Sequence, residues 1–218
     1  MDEHVKNIIT DELALGEWCV EIDTRKEGKL LQEIILALKA TMKANNLVSL
    51  AAPQIGYNRR VLCMRFGKND YRTFVNPLVE NNTDFQFARE TCSSIPGKTF
   101  VMPRFNNIKL YFTTPLGKVE STKLSGMSAW KFQHCLDHLN GMLTSDIGLE
   151  IDEMFDNATD EERAEVLRMY AEALDIRQKD LEAQIAEDKN LSDINDAAKF
   201  IASVKSGETF LDNSELKS

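Results

Sequence analysis

A stretch of short β-type segments between Val61 and Val119 constrains the fold of this chain more than any other feature. Valine, isoleucine, tyrosine, phenylalanine and threonine are frequent in the segments, and glycine, proline or asparagine separates one from the next. The segments are residues 61–64, 71–75, 85–87, 99–102 and 108–112. We therefore predict an antiparallel, partly open sheet with loops between its strands.

Apolar residues at helical spacing flank this stretch on both sides. From about Lys26 to Asn45 they form one stripe. From Met127 to Asn140 they form a second stripe, and Gly141 follows it as a candidate C-cap. The predicted fold class is therefore α+β, with the antiparallel sheet packed around the second helix as a central helix.

The last third of the chain has a different composition and predicts a helical extension. Residues 159–162 have the pattern of a capping box, and a long charged helix is predicted after them. A shorter helix is predicted from about Ser192 to Lys205. We expect a domain at residues 1–150, a helical extension at 151–207 and a polar, disordered tail at 208–218.

The charge and the cysteines argue against several classes of function. The formal net charge of -9 disfavours direct binding of nucleic acid or of anionic lipid. No run of about 18 apolar residues predicts a membrane span, and the acidic first residues lack the pattern of a signal peptide. The four cysteines show no close pairing, which favours free thiols in a reducing cytoplasm.

Two of the three histidines, His134 and His138, lie four residues apart in the second predicted helix. This spacing places both imidazoles on one face, where they can reach a single metal ion. The pair alone is a weak signal, since two helix histidines also pack or cap locally without metal. Cys92 is the best candidate for a third ligand, because it lies in a predicted loop bracketed by proline and glycine. One thiolate and two imidazoles leave a fourth tetrahedral position for water.

Three blocks of the sequence resemble the signature motifs of the peptide deformylase family, in the family's order. Residues 50–56 (LAAPQIG) resemble the end of GxGLAAPQxG. Residues 47–56 are predicted to form an extended loop, because Pro53 removes a backbone donor and Gly56 permits a turn. Residues 90–96 (ETCSSIP) resemble EGCLSxP, and residues 133–139 (QHCLDHL) resemble QHExDHL. The similarity extends from about Val5 to Asp146.

The resemblance implies a role for each matched residue. Cys92, His134 and His138 match the ligands of one divalent metal ion, which in the family is usually Fe²⁺ and is replaced by Zn²⁺, Ni²⁺ or Co²⁺. Gln54 and the backbone amide of Ser93 match the groups that hold the developing oxyanion.

Four further residues are candidates for support and for substrate binding. Glu90 and Arg104 match an ion pair of the family that would fix the ligand-bearing loop. Met127 and Trp130 precede the histidine pair and are candidates for the pocket of a methionine side chain. The alternative for both is an ordinary position in the core.

Four positions depart from the family patterns. Leu47 and Ser49 replace glycines of the first motif and Thr91 replaces the glycine of the second, so the substrate-binding groove is expected to be reshaped. Cys135 stands where the family has a glutamate that transfers a proton from water to the leaving amine. The Cys135 thiol has three interpretations: a weak substitute base, a fourth metal ligand, or an inert residue that leaves little turnover.

The resemblance implies a metal-dependent hydrolase that removes the N-formyl group from the N-terminal methionine of nascent peptides. N-formyl-methionyl peptides are the expected substrates, and the C-terminal helices suggest the ribosome or another subunit as a further partner. The alternative is a catalytically weak, metal-binding homologue that acts as a protein-interaction module. A solvated helical hairpin packed on the domain is the simpler interpretation of the C-terminal helices.

Overall fold

The computed structural model describes residues 3–187 and the side chains of residues 3–175. The helix predicted from about Ser192 to Lys205 and the tail predicted at 208–218 lie outside the described residues. The chain divides into two compact units, Met1–Ile151 and Asp152–Ser218.

The first unit is built on one antiparallel sheet of six strands. The strands are β1 (Ser49–Ala51), β2 (Val61–Arg65), β3 (Tyr71–Cys92), β4 (Ile95–Thr113), β5 (Val119–Ser125) and β6 (Leu149–Ile151). The first five follow one another in the sheet in chain order, and β5 and β6 pair with opposite ends of β4. The predicted α+β class and antiparallel sheet are confirmed.

The predicted loops within the sheet region are partly wrong, because β3 and β4 are long and continuous. Residues 71–75 and 85–87 belong to the same strand, as do residues 99–102 and 108–112. The strand pairing shifts its register after Val75 and after Val79. These irregularities accommodate the proline and asparagine residues from which the sequence pattern predicted loops.

The segment around Cys92 is also more regular than predicted. Cys92 is the last residue of β3, and a two-residue turn connects it to Ile95 at the start of β4. Pro96 and Gly97 therefore lie inside β4 and not in a loop. Residues 47–56, predicted as an extended loop, instead contain β1 and then a 3₁₀ turn, Ala52–Ile55.

Among the described residues of the first unit, four α-helices accompany the sheet: α1 (Glu12–Leu15), α2 (Gly28–Ala44), α3 (Met127–Leu139) and α4 (Thr144–Ile147). The apolar stripe of α2 packs on β1 and β2 around buried Ile34, Leu38 and Cys63. Helix α3 buries Phe132 and Leu139 against Phe74 and Leu110 of the sheet. The two predicted helices are observed within two residues of their predicted ends.

Gly141 follows α3 and is required there for two reasons. Its φ of 64° is left-handed, and a Cβ atom would lie 2.5 Å from the carbonyl oxygen of Gly16. The chain therefore crosses itself at the carboxyl end of α3 with backbone against backbone.

The second unit begins with α5 (Glu153–Asn157) and α6 (Asp160–Glu187). The predicted capping box is present: the Glu162 N–H donates to Thr159 Oγ1 at 3.2 Å, and the Thr159 N–H donates to Glu162 Oε2 at 2.8 Å. Among the described residues, no helix is both long and apolar enough to cross a membrane.

Candidate metal centre

Three side chains that the sequence singled out meet in the interior of the first unit. The ligand atoms of Cys92, His134 and His138 all lie within 4.8 Å of one another. The Cys92 Sγ atom is 3.3 Å from His138 Nε2, and the centroids of the two imidazole rings are 5.1 Å apart. All three residues are buried.

The positions of these side chains follow from the two elements that carry them. His134 and His138 are one turn apart on α3, so both point to the same side of the helix. Cys92 ends β3, where the tight turn to β4 brings the chain close to that face. The site thus joins a hairpin end to a helix face.

The donor set fits a divalent transition-metal ion. A thiolate and two imidazoles bind such an ion at about 2.0–2.3 Å, which places the ligand atoms of a tetrahedral site about 3.3–3.7 Å apart. The separation between Cys92 and His138 is already in this range. Thiolate and imidazole together suit zinc, iron, nickel and cobalt and not magnesium or calcium.

A buried carboxylate orients one of the histidines. Glu90 Oε2 lies 2.9 Å from His134 Nδ1, which leaves Nε2 of that ring for a metal ion. Arg104 donates to both carboxylate oxygens of Glu90 at 3.0 Å, and through Nη1 to Asp137 Oδ2 at 2.7 Å. The guanidinium therefore connects β3 and β4 to the helix that carries the histidines.

The electrostatics of the cluster favour a thiolate at Cys92. Burial raises the pKa of this thiol, but hydrogen bonds with His134 and His138 outweigh burial and lower it to about 5. For His134, burial lowers the pKa, whereas hydrogen bonds with Cys92 and Glu90 raise it to about 9. A thiolate ligand is thus available at neutral pH.

The carboxamide of Gln54 is held in one orientation beside the cluster. Its Oε1 atom accepts a hydrogen bond from the Ala51 N–H at 3.0 Å. Its Nε2 atom therefore faces the turn, 3.2 Å from Ser94 Oγ, 3.5 Å from Ser93 Oγ and 3.8 Å from Cys92 Sγ. This places a fixed N–H donor next to a ligand atom, and Ser93 lies in the exposed part of the turn.

Cys135 lies between the two histidines in sequence but outside the cluster of ligand atoms. It is fully buried and belongs to the core between α3 and the sheet. Burial raises the pKa of its thiol to about 12, although a hydrogen bond with Ser49 acts in the opposite direction. The environment therefore favours a protonated thiol.

The two glycine replacements expected to reshape the substrate groove and the two candidates for the methionine pocket are dispersed. Leu47 packs against the α2 side of the core, and Thr91 is exposed next to Cys92. Met127 begins α3 and is 68% exposed. Trp130, in the first turn of α3, packs against the core between this helix and the sheet. Its Nε1 atom is buried and has no hydrogen-bond partner among the described residues.

Three residues around the centre were not assigned a definite role from the sequence. Asp137, for which both a supporting and a solvated position were open, bonds Arg104. Gln133, a member of the third motif, docks α3 on β4 by exchanging two hydrogen bonds with the backbone of Phe105. No role was assigned to Arg60 from the sequence. The one feature that could have drawn attention to it is a charged residue directly before an apolar segment.

Comparisons with known proteins place these observations in a family. A family model described as polypeptide deformylase matches residues 6–151. The peptide deformylase of Dictyoglomus turgidum is 29% identical over 139 residues, which cover 62% of this chain and 90% of that protein. The peptide deformylase of Thermotoga maritima is 32% identical over 116 residues, which cover 53% of this chain and 71% of that protein.

Solved structures show the same similarity. The crystal structure of peptide deformylase from Thermotoga maritima superposes with a TM-score of 0.61 at 29% identity, covering 66% of this chain and 97% of that one. A Met-Ala-Ser-bound peptide deformylase from Acinetobacter baumannii superposes with a TM-score of 0.60 at 25% identity, covering 65% of this chain and 97% of that one.

Proposed function

The chain belongs to the polypeptide deformylase family, and from that premise we propose that it is a hydrolase that removes the N-formyl group from the N-terminal methionine of nascent peptides. The observation that carries the proposal is the buried cluster of Cys92, His134 and His138, with the amide of Gln54 fixed beside it. A thiolate, two imidazoles and an oriented N–H donor are the parts that metal-assisted amide hydrolysis needs.

In this proposal Cys92, His134 and His138 hold one divalent ion. Fe²⁺ is the expected ion, and Zn²⁺, Ni²⁺ or Co²⁺ can replace it, since thiolate and imidazole ligands suit all four. Such an ion supplies Lewis acidity toward a carbonyl oxygen and lowers the pKa of a water molecule. Glu90 keeps His134 in the tautomer that presents Nε2, and Arg104 holds Glu90 in place.

The protein's own donors stabilise the negative charge that develops on the formyl oxygen. Gln54 Nε2 is oriented by the bond between its Oε1 atom and the Ala51 N–H, so no rotation is needed during the reaction. The backbone N–H of Ser93 is the second proposed donor. A backbone donor does not depend on the side chain, so the serine at this position is compatible with the role.

We propose that Cys135 lowers the activity. The thiol is fully buried and its raised pKa keeps it protonated, which supports the inert interpretation over a substitute base. Its position outside the ligand cluster argues against a fourth ligand. Loss of a general base costs about 10²–10⁴-fold in rate, so turnover well below that of a glutamate-containing enzyme is expected.

The proposed substrates are N-formyl-methionyl peptides. The Acinetobacter baumannii relative with bound Met-Ala-Ser supports a peptide that begins with methionine. Leu47 and Thr91 occupy glycine positions of the first and second motifs, and Met127 and Trp130 lie one to two turns before His134. These four residues are the proposed contacts to the peptide.

The burial of Cys135 also favours a second candidate function. A metal-binding homologue without an efficient base would serve as a protein-interaction module, with α6 available to contact the ribosome or another subunit. This candidate and the hydrolase share the metal site and are distinguished by turnover.

Formate release from a formyl-Met peptide separates the two candidates. Protein reconstituted with Fe²⁺, Ni²⁺ or Co²⁺ is compared with His134→Ala, which removes a proposed ligand. Formate release by the wild type and none by the variant is the result expected of a hydrolase. Confirmed metal occupancy without formate release would exclude deformylation and leave the interaction module.

A further inference from the structure

The carboxyl end of α3 is closed by groups from distant parts of the chain. A helix end leaves carbonyl groups without intrahelical partners, and here the last helical residue is Leu139, next to His138. The Cys19 N–H donates to Leu139 O at 3.0 Å. Arg60 Nη1 donates to the same carbonyl at 3.1 Å and to Asn140 Oδ1 at 3.0 Å.

Arg60 is itself held firmly in place. Its N–H donates to Val20 O at 2.8 Å, and its own carbonyl accepts from the Asn76 N–H at 2.7 Å. Its guanidinium carbon lies 5.2 Å from the ring centroid of Trp18, and the residue is 5% exposed. The side chain is therefore a rigid link between the start of β2 and the end of α3.

The end of α3 and the more distant carboxylate of Glu21 together balance the charge of Arg60. Within the part of the chain that the structure describes, no carboxylate forms a salt bridge with its guanidinium. The negative end of the α3 dipole, at the carbonyl of Leu139, is the charge that the guanidinium meets. A buried cation at this point stabilises the helix end in one position, because a displacement would cost the guanidinium its hydrogen bonds to Leu139 O and Asn140 Oδ1.

We propose that Arg60 is a positioning residue for the metal centre. By capping the carboxyl end of α3 it fixes the position of His138 along the helix axis, and its rotation about that axis, relative to Cys92 on β3. The inference rests on the proposed function, because it requires that Cys92, His134 and His138 bind a metal ion. Loss of a group that hydrogen-bonds a metal ligand directly typically weakens metal binding by about 10–100-fold. Arg60 acts through the backbone next to His138, so an effect at the lower end, about 10-fold, is expected.

The experiment uses the full chain and Co²⁺ as the probe. The affinity is measured by competition with a chelator, and the visible absorption of bound Co²⁺ reports the arrangement of the ligands. Arg60→Met is expected to bind Co²⁺ about 10-fold more weakly than the wild type and to alter the absorption bands. Arg60→Lys, which retains the charge but has a single donor group, is expected to recover part of both.

Arg59→Met is the matched control. The neighbouring Arg59 bonds Glu27 at 3.2 and 3.3 Å and makes no described contact with α3. Its replacement is expected to leave Co²⁺ affinity and absorption unchanged. Asn140→Ala removes one acceptor of Arg60 without introducing a cavity at Arg60, and a smaller loss of affinity in the same direction is expected.

The outcomes separate positioning from general stability. A folded Arg60→Met that binds Co²⁺ with wild-type affinity and absorption would overturn the proposal, even if its melting temperature were lower. If Arg60→Met does not fold, wild-type binding by both Arg60→Lys and Asn140→Ala would overturn it equally. A wild type that binds no Co²⁺ would refute the metal site itself, and the role of Arg60 with it.

Discussion

The Sγ atom of Cys92 lies 3.3 Å from Nε2 of His138, although 46 residues separate them in the sequence. One atom belongs to the end of a strand and the other to the last turn of a helix. The contact therefore exists only when the β3–β4 hairpin is packed against α3. A metal ion bound there would stabilise the folded chain, because an unfolded chain does not hold the ligands together.

Single substitutions of the proposed ligands should each abolish tight metal binding. Cys92→Ala, His134→Ala and His138→Ala remove one of three donors, whereas Cys63→Ala removes a buried thiol from the α2 side of the core and serves as control. The wild type and the control are expected to bind about one divalent ion. Metal analysis after anaerobic reconstitution with Fe²⁺, Ni²⁺, Co²⁺ or Zn²⁺ checks this, and an empty wild type would contradict the assignment.

Restoring a carboxylate at Cys135 should raise deformylase turnover. Cys135→Glu provides a carboxyl group whose reference pKa of about 4.3 is far below that of a thiol, so it is the better base at neutral pH even where burial raises its pKa. An increase of about 10-fold or more is therefore expected, within the range of general-base catalysis. Cys135→Ser, which has no such base, is the control and should change formate release little. An unchanged rate in Cys135→Glu would indicate that the thiol already acts efficiently.

Ser49 provides a second variant for the same question. It hydrogen-bonds Cys135, so its side chain occupies space that a glutamate at that position would need. Ser49→Gly combined with Cys135→Glu should therefore be at least as active as Cys135→Glu alone. If both variants retain metal and release no formate, the divergence of this chain serves a purpose other than deformylation.

Removal of Arg104 should destabilise the fold far more than removal of a surface arginine. Arg104→Met leaves Asp137 without its described partner and Glu90 with His134 alone, a change that costs about 3–5 kcal/mol. Arg72→Met breaks the exposed pair with Asp70 and should cost about 0–1 kcal/mol. Urea unfolding of the metal-free proteins measures the free energy of unfolding of both variants. Equal decreases would show that the buried ion pairs stabilise the fold no more than the exposed pair.

Thiol labelling should distinguish the cysteines. Burial raises the pKa of Cys63 to about 11, so its thiolate fraction at neutral pH is about 100-fold lower than that of a thiol with the reference value of 9.0. Iodoacetamide should therefore modify Cys63 in the native protein only as the pH rises toward 11, whereas Cys92 should react first in metal-free protein and be protected by Co²⁺. Mass spectrometry of the labelled peptides tests this, and a lack of metal protection at Cys92 would contradict its assignment.

A chain that ends at Ala158 should retain the metal site. All proposed ligands and their supporting residues lie within Met1–Ile151, and the capping box of α6 begins at Thr159. The truncated protein is expected to bind about one ion with the affinity of the full chain. Loss of metal binding in a soluble, folded truncation would show that the second unit contributes to the centre.

Local patterns were sufficient to predict the elements whose stability is local. The periodic apolar residues and Gly141 defined α3 to within one residue, and Thr159 with Glu162 defined the start of α6, because each pattern acts within one or two helical turns. The spacing of His134 and His138 likewise determined that both rings share a face, whatever the surroundings of the helix.

The tertiary structure decided everything that depends on residues far apart in the chain. Whether the polar residues after Val75 and Val79 end a strand or form a bulge depends on pairing with β4, which local composition does not contain. Arg104 meets Asp137, and Arg60 meets Leu139, only because the sheet and α3 pack together. Cys135 shows the same division: the sequence determined that a thiol stands there, and the packed core determined that it is buried and protonated.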